Sequence, residues 1–253
     1  MYKIIVIAFS LVVLFMNCTK ELNVKVTETH PNGAKKKEVY YYNRVSDPRR
    51  IILYGVDGKV KSDRFMMNGK PDSLCVIYHP NGNKLKEIKY IQDQKTNQEM
   101  KHGKECTWYE NGQLESETLF ENGLPKGVAT TYYEDGSKAS ETPFKDGNKE
   151  GEETQYFPDG NKRMLITYSG GDRTGSLKEW YENGNLKKEE TYLKNALDGP
   201  YTKYYEDGKK ETECSYKDGK LQGLKQQWHE NGKLSAKAEY KNGNFIEGTG
   251  RAY

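Results

Sequence analysis

Aromatic residues, glycines and polar residues alternate along most of this chain at a fixed spacing. Pairs of aromatic residues are followed by Asn-Gly or Asp-Gly, and the next short run again mixes β-prone and charged residues. Such turns between β-prone runs predict hairpins, because the tight primed turns require a positive φ. We therefore expect each unit to be a strand, a tight Asn-Gly or Asp-Gly turn, a second strand and a looser glycine-rich turn. Turn glycines of the regular part lie 24 residues apart: Gly112, Gly136, Gly160, Gly184, Gly208 and Gly232.

The aromatic residues fall in columns when Trp108 is numbered as position one of a 24-residue unit. Position one holds Tyr78, Trp108, Tyr132, Tyr156, Trp180, Tyr204 and Trp228. Position two holds His79, Tyr109, Tyr133, Phe157, Tyr181, Tyr205 and His229, with His30 in the equivalent place near the start. Because His79 and His229 stand in an aromatic column, we interpret them as tyrosine substitutes rather than metal ligands. Position thirteen holds Tyr90, Phe120, Phe144, Tyr168, Tyr192, Tyr216 and Tyr240. A period this strict indicates a repeat architecture in which each unit is stabilised by its neighbours.

Side chains alternate along a strand, so positions seven, nine, eleven and thirteen are expected to share one face. In the first regular unit these positions are Leu114, Ser116, Thr118 and Phe120. The whole pattern predicts an all-β fold: an extended antiparallel β-meander forming a single-layer sheet of tandem 24-residue hairpin repeats. Helix is excluded, because glycine recurs too often to leave room for one.

The repeats are regular in one part of the chain and degenerate in another. Residues 102–253 hold six regular repeats, and residues 29–101 hold degenerate ones. Between Tyr90 and Gly103 the chain exceeds the period by six residues, since Gly82 and Gly112 lie 30 residues apart. We interpret the excess as a polar loop that protrudes from one edge of the sheet.

The N-terminus has a pattern of its own. An apolar run from Ile4 to Met16 follows the basic Lys3 and is too short to cross a bilayer as a helix. It predicts a signal peptide over residues 1–17. Residues 14–18 resemble the lipobox of bacterial lipoproteins, which implies that Cys18 is acylated and that residues 18–28 form a lipidated N-terminus and linker. An uncleaved signal and conventional cleavage are the alternatives left open.

Composition favours a shallow, repetitive structure over a deep core. Mean hydropathy is −1.00, yet 20 Tyr, 7 Phe and 3 Trp fall at regular intervals. Lys and Arg number 40 against 37 Asp and Glu, and the charges are interspersed. That balance gives no electrostatic argument for a nucleic-acid partner.

No residue pattern in the chain predicts catalytic chemistry. The four histidines have no metal-ligand spacing, and the Asp-Gly turns are explained by turn geometry without calcium. Phosphate loops, nucleophile elbows and dinucleotide-binding glycines are absent. We therefore expect no enzyme, no metal and no cofactor, although an exported hydrolase with a buried acid pair is not excluded. Cys75, Cys106 and Cys214 are expected to be free thiols, because their places in the repeat keep them apart.

The repeated motif Y/W-Y-E-N/D-G-x-L/K-x-x-E-x-x-Y-x-N/D-G-x-x-x-G resembles the MORN repeat variant of bacterial proteins, often labelled YwqK-type antitoxins. The resemblance covers most of residues 29–253. It implies an extended single β-sheet and a role in binding or assembly. The family has no agreed catalytic residues, so the resemblance implies no catalytic site in this chain.

Together these features predict a monomeric, lipid-anchored scaffold that binds an unknown protein partner at the cell envelope, on the outer membrane. An antitoxin-like or immunity-like role is one form of this hypothesis. The alternative is binding of membrane lipid or glycan through an aromatic face of the sheet, and a purely structural role of the aromatic columns is also open. The candidate binding face consists of Trp108, Tyr132, Tyr156, Trp180, Tyr204 and Trp228.

Overall fold

The structure is a computed structural model that describes residues 23–41, 48–66 and 73–252. The predicted signal peptide and Cys18 lie outside the described residues. Within the described part, no helix is long and apolar enough to cross a membrane. The strands are β1 (Asn23–Thr29), β2 (Lys35–Tyr41), β3 (Pro48–Tyr54), β4 (Val60–Phe65), β5 (Ser73–Tyr78), β6 (Lys84–Gln92), β7 (Glu99–Lys101), β8 (Gly103–Trp108), β9 (Leu114–Glu121), β10 (Leu124–Tyr132), β11 (Lys138–Lys145), β12 (Asn148–Lys149), β13 (Gly151–Tyr156), β14 (Lys162–Ser169), β15 (Asp172–Trp180), β16 (Leu186–Leu193), β17 (Ala196–Tyr204), β18 (Lys210–Lys217), β19 (Lys220–Leu221), β20 (Gly223–Trp228), β21 (Leu234–Lys241), β22 (Asn244–Phe245) and β23 (Arg251–Ala252).

All of these strands belong to one open antiparallel sheet. Each long strand pairs with the long strands before and after it along the chain, so that the sheet grows by one hairpin per repeat. Short strands such as β12 and β19 are the first part of a longer strand that a glycine bulge interrupts, since β11 pairs with both β12 and β13. The predicted all-β meander of tandem repeats is confirmed.

The Asn-Gly or Asp-Gly turn after position one is wider than predicted. In the first regular unit, the Tyr109 N–H donates to the Gln113 carbonyl and the Gly112 N–H donates to the Tyr109 carbonyl, both at 2.9 Å. Gly112 has a φ of 88°, and the Asn111 side-chain oxygen accepts the Gln113 N–H at 2.8 Å. This is a three-residue loop closed by a left-handed glycine. The prediction that this turn is the tight primed turn of the unit was wrong.

The second turn of the unit is the tight one. Glu121 and Leu124 pair directly, which leaves only Asn122 and Gly123 between the strands, with φ values of 50° and 83°. Two successive positive φ values are what the primed two-residue turn requires. The same geometry occurs where the chain has Lys194 and Asn195 without a glycine. The two turns were therefore assigned the wrong way round, because Asn-Gly occurs at both.

A β-bulge beside the first turn changes which residues share a face. Trp108 pairs with Leu114 and Thr107 pairs with Ser116, so that the residue between them has no partner. Leu114 therefore lies on the face of Trp108 and Glu117, opposite to Ser116. The expectation that Leu114 shares a face with Ser116, Thr118 and Phe120 was wrong for Leu114 and right for the other three.

The residues in excess of the period do not form a separate loop. They lengthen one hairpin, because β6 continues to Gln92 and pairs with β7 through Ile91 and Met100. The turn of this hairpin is closed by an Asp93 N–H that donates to the Gln98 carbonyl at 2.8 Å. The predicted polar loop is thus an extension of the sheet, with a turn at its end.

Burial is shallow and occurs on both faces of the sheet. Ile88 is fully buried, and the other buried apolar side chains in the described part are Val39, Ile52, Val76, Ile166, Leu177 and Cys214. Cys75, Cys106 and Cys214 are free thiols, as predicted. Cys75 pairs with Ile88 whereas Cys106 pairs with Glu87, the residue before it, so Cys75 and Cys106 point to opposite faces.

Candidate functional site

The six candidate residues all lie on one face of the sheet, which we call the position-one face. It carries the position-one side chains and those of position ten, such as Glu117, which pairs across the strands with Cys106. The opposite side, called the position-thirteen face, carries the aromatic residues of position thirteen. Each of the six is half-buried: Trp108, Tyr132, Tyr156, Trp180, Tyr204 and Trp228.

Position-two side chains fix the main chain beneath the position-one face. Each tyrosine hydroxyl donates a hydrogen bond to the main-chain carbonyl of the next unit's position-one residue, and we call this bond a rung. The rungs are Tyr109 to Tyr132 at 2.7 Å, Tyr133 to Tyr156 at 2.7 Å, Tyr181 to Tyr204 at 2.9 Å and Tyr205 to Trp228 at 2.7 Å. Each rung joins two neighbouring repeats, so the spacing of the candidate residues is set by side chains as well as by strand pairing.

Two histidines replace tyrosine in this role. His79 Nε2 lies 2.7 Å from the Trp108 carbonyl, and His30 Nε2 lies 3.1 Å from the Tyr54 carbonyl. Because a carbonyl only accepts, Nε2 is the donor in each contact. The interpretation of His79 as a tyrosine substitute is confirmed by its contact, and His30 makes the equivalent contact at the start of the repeats. Phe157 has no hydroxyl, so it provides no rung to Trp180.

Several position-one tyrosines donate a hydrogen bond from the hydroxyl to the carboxylate of a position-ten residue. The Tyr156 hydroxyl donates to Glu141 at 2.7 Å, and the Tyr54 hydroxyl donates to Glu38 at 2.5 Å. The hydrogen bond to Glu141 and burial both raise the pKa of Tyr156. The pKa of Glu141 is lowered, first by its hydrogen bond from Lys138 and then by that from Tyr156. These carboxylates are therefore ionised acceptors at neutral pH.

Lysines at position seven contact both the position-ten carboxylates and the position-one rings. Lys84 Nζ lies 2.5 Å from Glu87 and 5.4 Å from the centre of the Trp108 ring. Lys138 Nζ lies 2.6 Å from Glu141 and 6.0 Å from the Tyr156 ring centre. The β-bulge makes this possible, because it brings positions seven and ten to the same face. The position-one face is therefore a mixture of rings, ammonium groups and carboxylates.

The position-thirteen face has a column of cations that the sequence interpretation missed. Lys101 lies 4.5 Å from the Phe120 ring centre, and Lys149 lies 4.8 Å from that of Tyr168. Lys149 also contacts Glu153 at 2.5 Å, and the Glu153 side chain is only 6% exposed. The spacing of these lysines was visible in the sequence. Their contacts were not, because each cation packs against the ring of the following unit.

Two concavities lie beside the degenerate unit that begins at Tyr54. One concavity of about 510 Å³ on the position-one face is lined by Arg50, Ile52, Asp63 and Tyr78. A second of about 430 Å³ beside the turn shares Tyr78 with the first and is lined by Val56. In the described part of the chain, no group of three or more His, Cys, Asp or Glu side chains could hold a metal ion.

Comparison with known proteins gives one family. A family model described as "MORN repeat variant" matches six segments of the chain: residues 101–122, 125–146, 149–169, 173–194, 197–218 and 221–242. The search of curated proteins gives no match.

Solved structures give only remote similarity. A chain in "Crystal Structure of TcdB2-TccC3-Cdc42" is 12% identical over 83% of this chain, with a TM-score of 0.16. A chain in "Crystal Structure of TcdB2-TccC3-TEV" is 13% identical over 88% of this chain, also with a TM-score of 0.16. The present chain spans only 15% and 14% of the lengths of those two chains. TM-scores this low carry no argument about fold or function.

Proposed function

Because the chain belongs to the MORN repeat variant family, we propose that it is a repeat scaffold whose position-one face binds a protein partner at the cell envelope. The observation that carries this proposal is the set of rungs under that face. Rings such as Tyr132 and Tyr204 are spaced by hydrogen bonds to their own main chain. A rigid surface loses little conformational entropy on binding, which favours affinity.

The chemistry of the position-one face favours protein over other partners. Aromatic residues are enriched among the residues that contribute most to protein interfaces. Here rings such as Trp108 lie beside both an ammonium group and a carboxylate, those of Lys84 and Glu87. A surface with both signs of charge around aromatic rings provides donors, acceptors and apolar area together, which a partner protein can match.

The location is proposed from the N-terminal sequence. An acyl chain on Cys18, after removal of residues 1–17, would hold the sheet on the outer membrane. Residues 18–28 would then connect the lipid to the repeats. In this setting an antitoxin-like role requires a toxin that is itself exported or acts in the envelope. We further propose that the protein acts by binding alone, without catalysis, a metal or a cofactor.

The test is site-specific crosslinking in cells that produce the full chain. A photo-reactive amino acid at Tyr132 on the position-one face should give an adduct with one abundant protein. The matched control carries the same amino acid at Tyr168, which lies on the position-thirteen face. Adducts from Tyr132 and not from Tyr168 support the proposal. No adduct from either place, or the same adduct from both, would contradict it.

The alternative, in which an aromatic face binds membrane lipid, is separated by a vesicle experiment. Protein with Cys18→Ser lacks the acyl chain, so any flotation with vesicles must come from the folded part. Flotation of this variant, lost on replacement of Trp108, would favour lipid as the ligand of the position-one face. If the Cys18→Ser protein does not float with vesicles, the lipid alternative is wrong, and binding of a protein partner is tested by the crosslinking experiment.

A further inference from the structure

The unit that begins at Tyr54 departs from the others at three places. Position two is Gly55, where other units have an aromatic residue or histidine. Position seven is Val60, where the other units have lysine or leucine, and position ten is Asp63, where most have glutamate. All three changes shorten a side chain that in other units packs toward the next position-one residue.

Together these shorter side chains leave open space around Tyr78, the position-one residue of the next unit. The larger concavity, about 510 Å³, lies on the position-one face above Ile52 and beside Val60 and Asp63. We call it the Tyr78 hollow. Its volume falls within the range of about 300–1,000 Å³ that is typical of small-molecule sites. In a regular unit a lysine extends into the equivalent space, for example Lys138 as it approaches the Tyr156 ring.

One wall of the Tyr78 hollow is a fixed pair of opposite charges. Arg50 Nε donates to one oxygen of Asp63 at 2.8 Å, and Arg50 Nη2 donates to the other at 2.6 Å. The guanidinium is also held 5.0 Å from the Phe65 ring centre. The Arg50 side chain is still 35% exposed, so it retains N–H groups for a ligand. Because the pair is neutral as a whole, this wall provides hydrogen-bonding groups rather than net charge.

The Tyr78 hydroxyl is a further donor. In other units, such as those of Tyr54 and Tyr156, the position-one hydroxyl donates to a glutamate. Asp63 is one carbon shorter than glutamate and is engaged by Arg50, and the Tyr78 hydroxyl makes no hydrogen bond within the described part of the chain. Burial, and then the negative charge of Asp63, raise the pKa of Tyr78. The hydroxyl therefore keeps its proton at neutral pH and can donate it.

We propose that the Tyr78 hollow binds one pyranose ring of a glycan. A pyranose has an apolar face of C–H groups, which packs on an aromatic ring, and hydroxyls at its rim, which need closely spaced donors and acceptors. The Tyr78 ring and the Arg50–Asp63 pair supply both. Lys59 also lines the hollow, where its ammonium group donates to the Pro80 carbonyl at 2.7 Å and has further N–H groups for a sugar hydroxyl. This site is separate from the regular repeats and does not depend on the protein partner proposed above.

The test uses the full chain and saturation-transfer NMR with simple sugars. The probes are the methyl glycosides of glucose, galactose, mannose, N-acetylglucosamine and glucuronic acid. One or more should receive saturation from the protein, with a dissociation constant on the order of 1 mM because the hollow is open. Absence of transfer to all of them at several times that concentration would overturn the proposal.

A double variant restores the regular repeat and fills the hollow. Val60→Lys with Asp63→Glu recreates the arrangement of Lys138 and Glu141, and should reduce sugar binding at least tenfold. The matched control is Leu114→Lys, which places a lysine at the same repeat position in a unit that already has Glu117 and should leave sugar binding unchanged. Equal binding by the double variant and the control would overturn the proposal, because the sugar would then bind elsewhere.

A second variant covers the case in which the double variant does not fold. Tyr78→Phe keeps the ring and removes only the hydroxyl, so it should weaken sugar binding several-fold while strand pairing is retained. Unchanged binding by Tyr78→Phe would contradict the assigned donor. If the double variant loses the crosslinked protein partner and no probe binds the wild type, the hollow belongs to a protein interface and the glycan proposal is wrong.

Discussion

The hydroxyl of Tyr109 donates a hydrogen bond to the main-chain carbonyl of Tyr132, which lies 23 positions further along the chain, at 2.7 Å. The contact joins the turn of one repeat to the first strand of the next. A single-layer sheet has no second layer to restrain it, so contacts between successive units determine how well they keep their relative positions. The rungs therefore connect the stability of the array to the spacing of its candidate binding residues.

Loss of one rung should weaken the array without disrupting it. We expect Tyr181→Phe to lower the free energy of unfolding by about 1 kcal/mol, because a hydrogen bond to a half-buried carbonyl is lost while the ring remains. Urea unfolding followed by circular dichroism measures the change. The control is Tyr192→Phe, since Tyr192 donates to Glu190 and not to the next unit. Amide exchange should accelerate around Tyr204 in the first variant only, and uniform acceleration would contradict the rung.

One position-two residue lacks the hydroxyl, so a rung can be added there instead of removed. Phe157 occupies position two without a hydroxyl, and its neighbour in the next unit is Trp180. We expect Phe157→Tyr to create the missing rung to the Trp180 carbonyl and to raise the free energy of unfolding by about 1 kcal/mol. The same urea titration measures it. A loss of stability would mean that the interface between these two units is already built around the apolar ring.

Stability should fall in acid because of the position-ten carboxylates. The pKa of Glu38 is lowered, first by its hydrogen bond from Lys35 and then by that from Tyr54. A carboxyl with a depressed pKa in the folded state stabilises the fold above its unfolded pKa, and loses that contribution as the pH falls through its folded pKa. With an ordinary value near 4.5, the loss should begin just below that pH.

The variant Glu38→Gln tests this pH dependence. At neutral pH it should lower the free energy of unfolding by about 1 kcal/mol, because the charged acceptor of Tyr54 is lost. Its stability should then change less than that of the wild type between neutral pH and pH values below the ordinary range of glutamate. If stability falls with pH in parallel for the two proteins, Glu38 is not the group responsible for the loss of stability in acid. Thermal unfolding across the pH series provides the data.

Much of the fold could be predicted because its signals are local and periodic. The spacing of Gly112 and Gly136 fixed the length of the unit, and aromatic residues at fixed places indicated strands without helices. The assignment of the two turns failed for a physical reason. Asn111-Gly112 and Asn122-Gly123 look the same in sequence, and only the bulge beside Trp108 decides which turn has two residues.

The candidate site was predicted less completely than the fold. His79 was interpreted correctly as a tyrosine substitute, because it stands in an aromatic column. Its acceptor, the Trp108 carbonyl, belongs to another unit and has no signal in the sequence. The contact between Lys149 and the Tyr168 ring also joins two units and has no signal in the sequence, because it depends on the register between strands. Contacts that cross from one unit to the next require the structure.

The tight turns should depend on glycine through backbone conformation alone. Gly219 has a φ of 77°, and a Cβ added there would meet no atom within 4 Å. We therefore expect Gly219→Ala to cost about 1–2 kcal/mol, the strain of a left-handed alanine, with no steric clash. Asn195 has a φ of 69°, and its side-chain oxygen accepts the Arg173 N–H at 2.9 Å, so Asn195→Gly should also lower the free energy of unfolding because this hydrogen bond is lost. Urea unfolding of both variants tests the pair, and a neutral effect at Gly219 would contradict the turn assignment.

The position-one face can be tested separately from the rungs beneath it. Tyr205 donates to the main-chain carbonyl of Trp228, so a change of the Trp228 side chain leaves that hydrogen bond in place. We expect Trp228→Ser to weaken capture of the protein partner at least tenfold, because a buried aromatic contact in an interface commonly contributes 2 kcal/mol or more, about a 30-fold change in affinity. The control is Tyr240→Ser in the same unit, which changes the position-thirteen face. Partner capture is measured by pull-down with the crosslinked protein, and folding by circular dichroism. Equal losses in the two folded variants would mean that the two faces are not distinguished by the partner, whereas a loss confined to Trp228→Ser would assign binding to the position-one face.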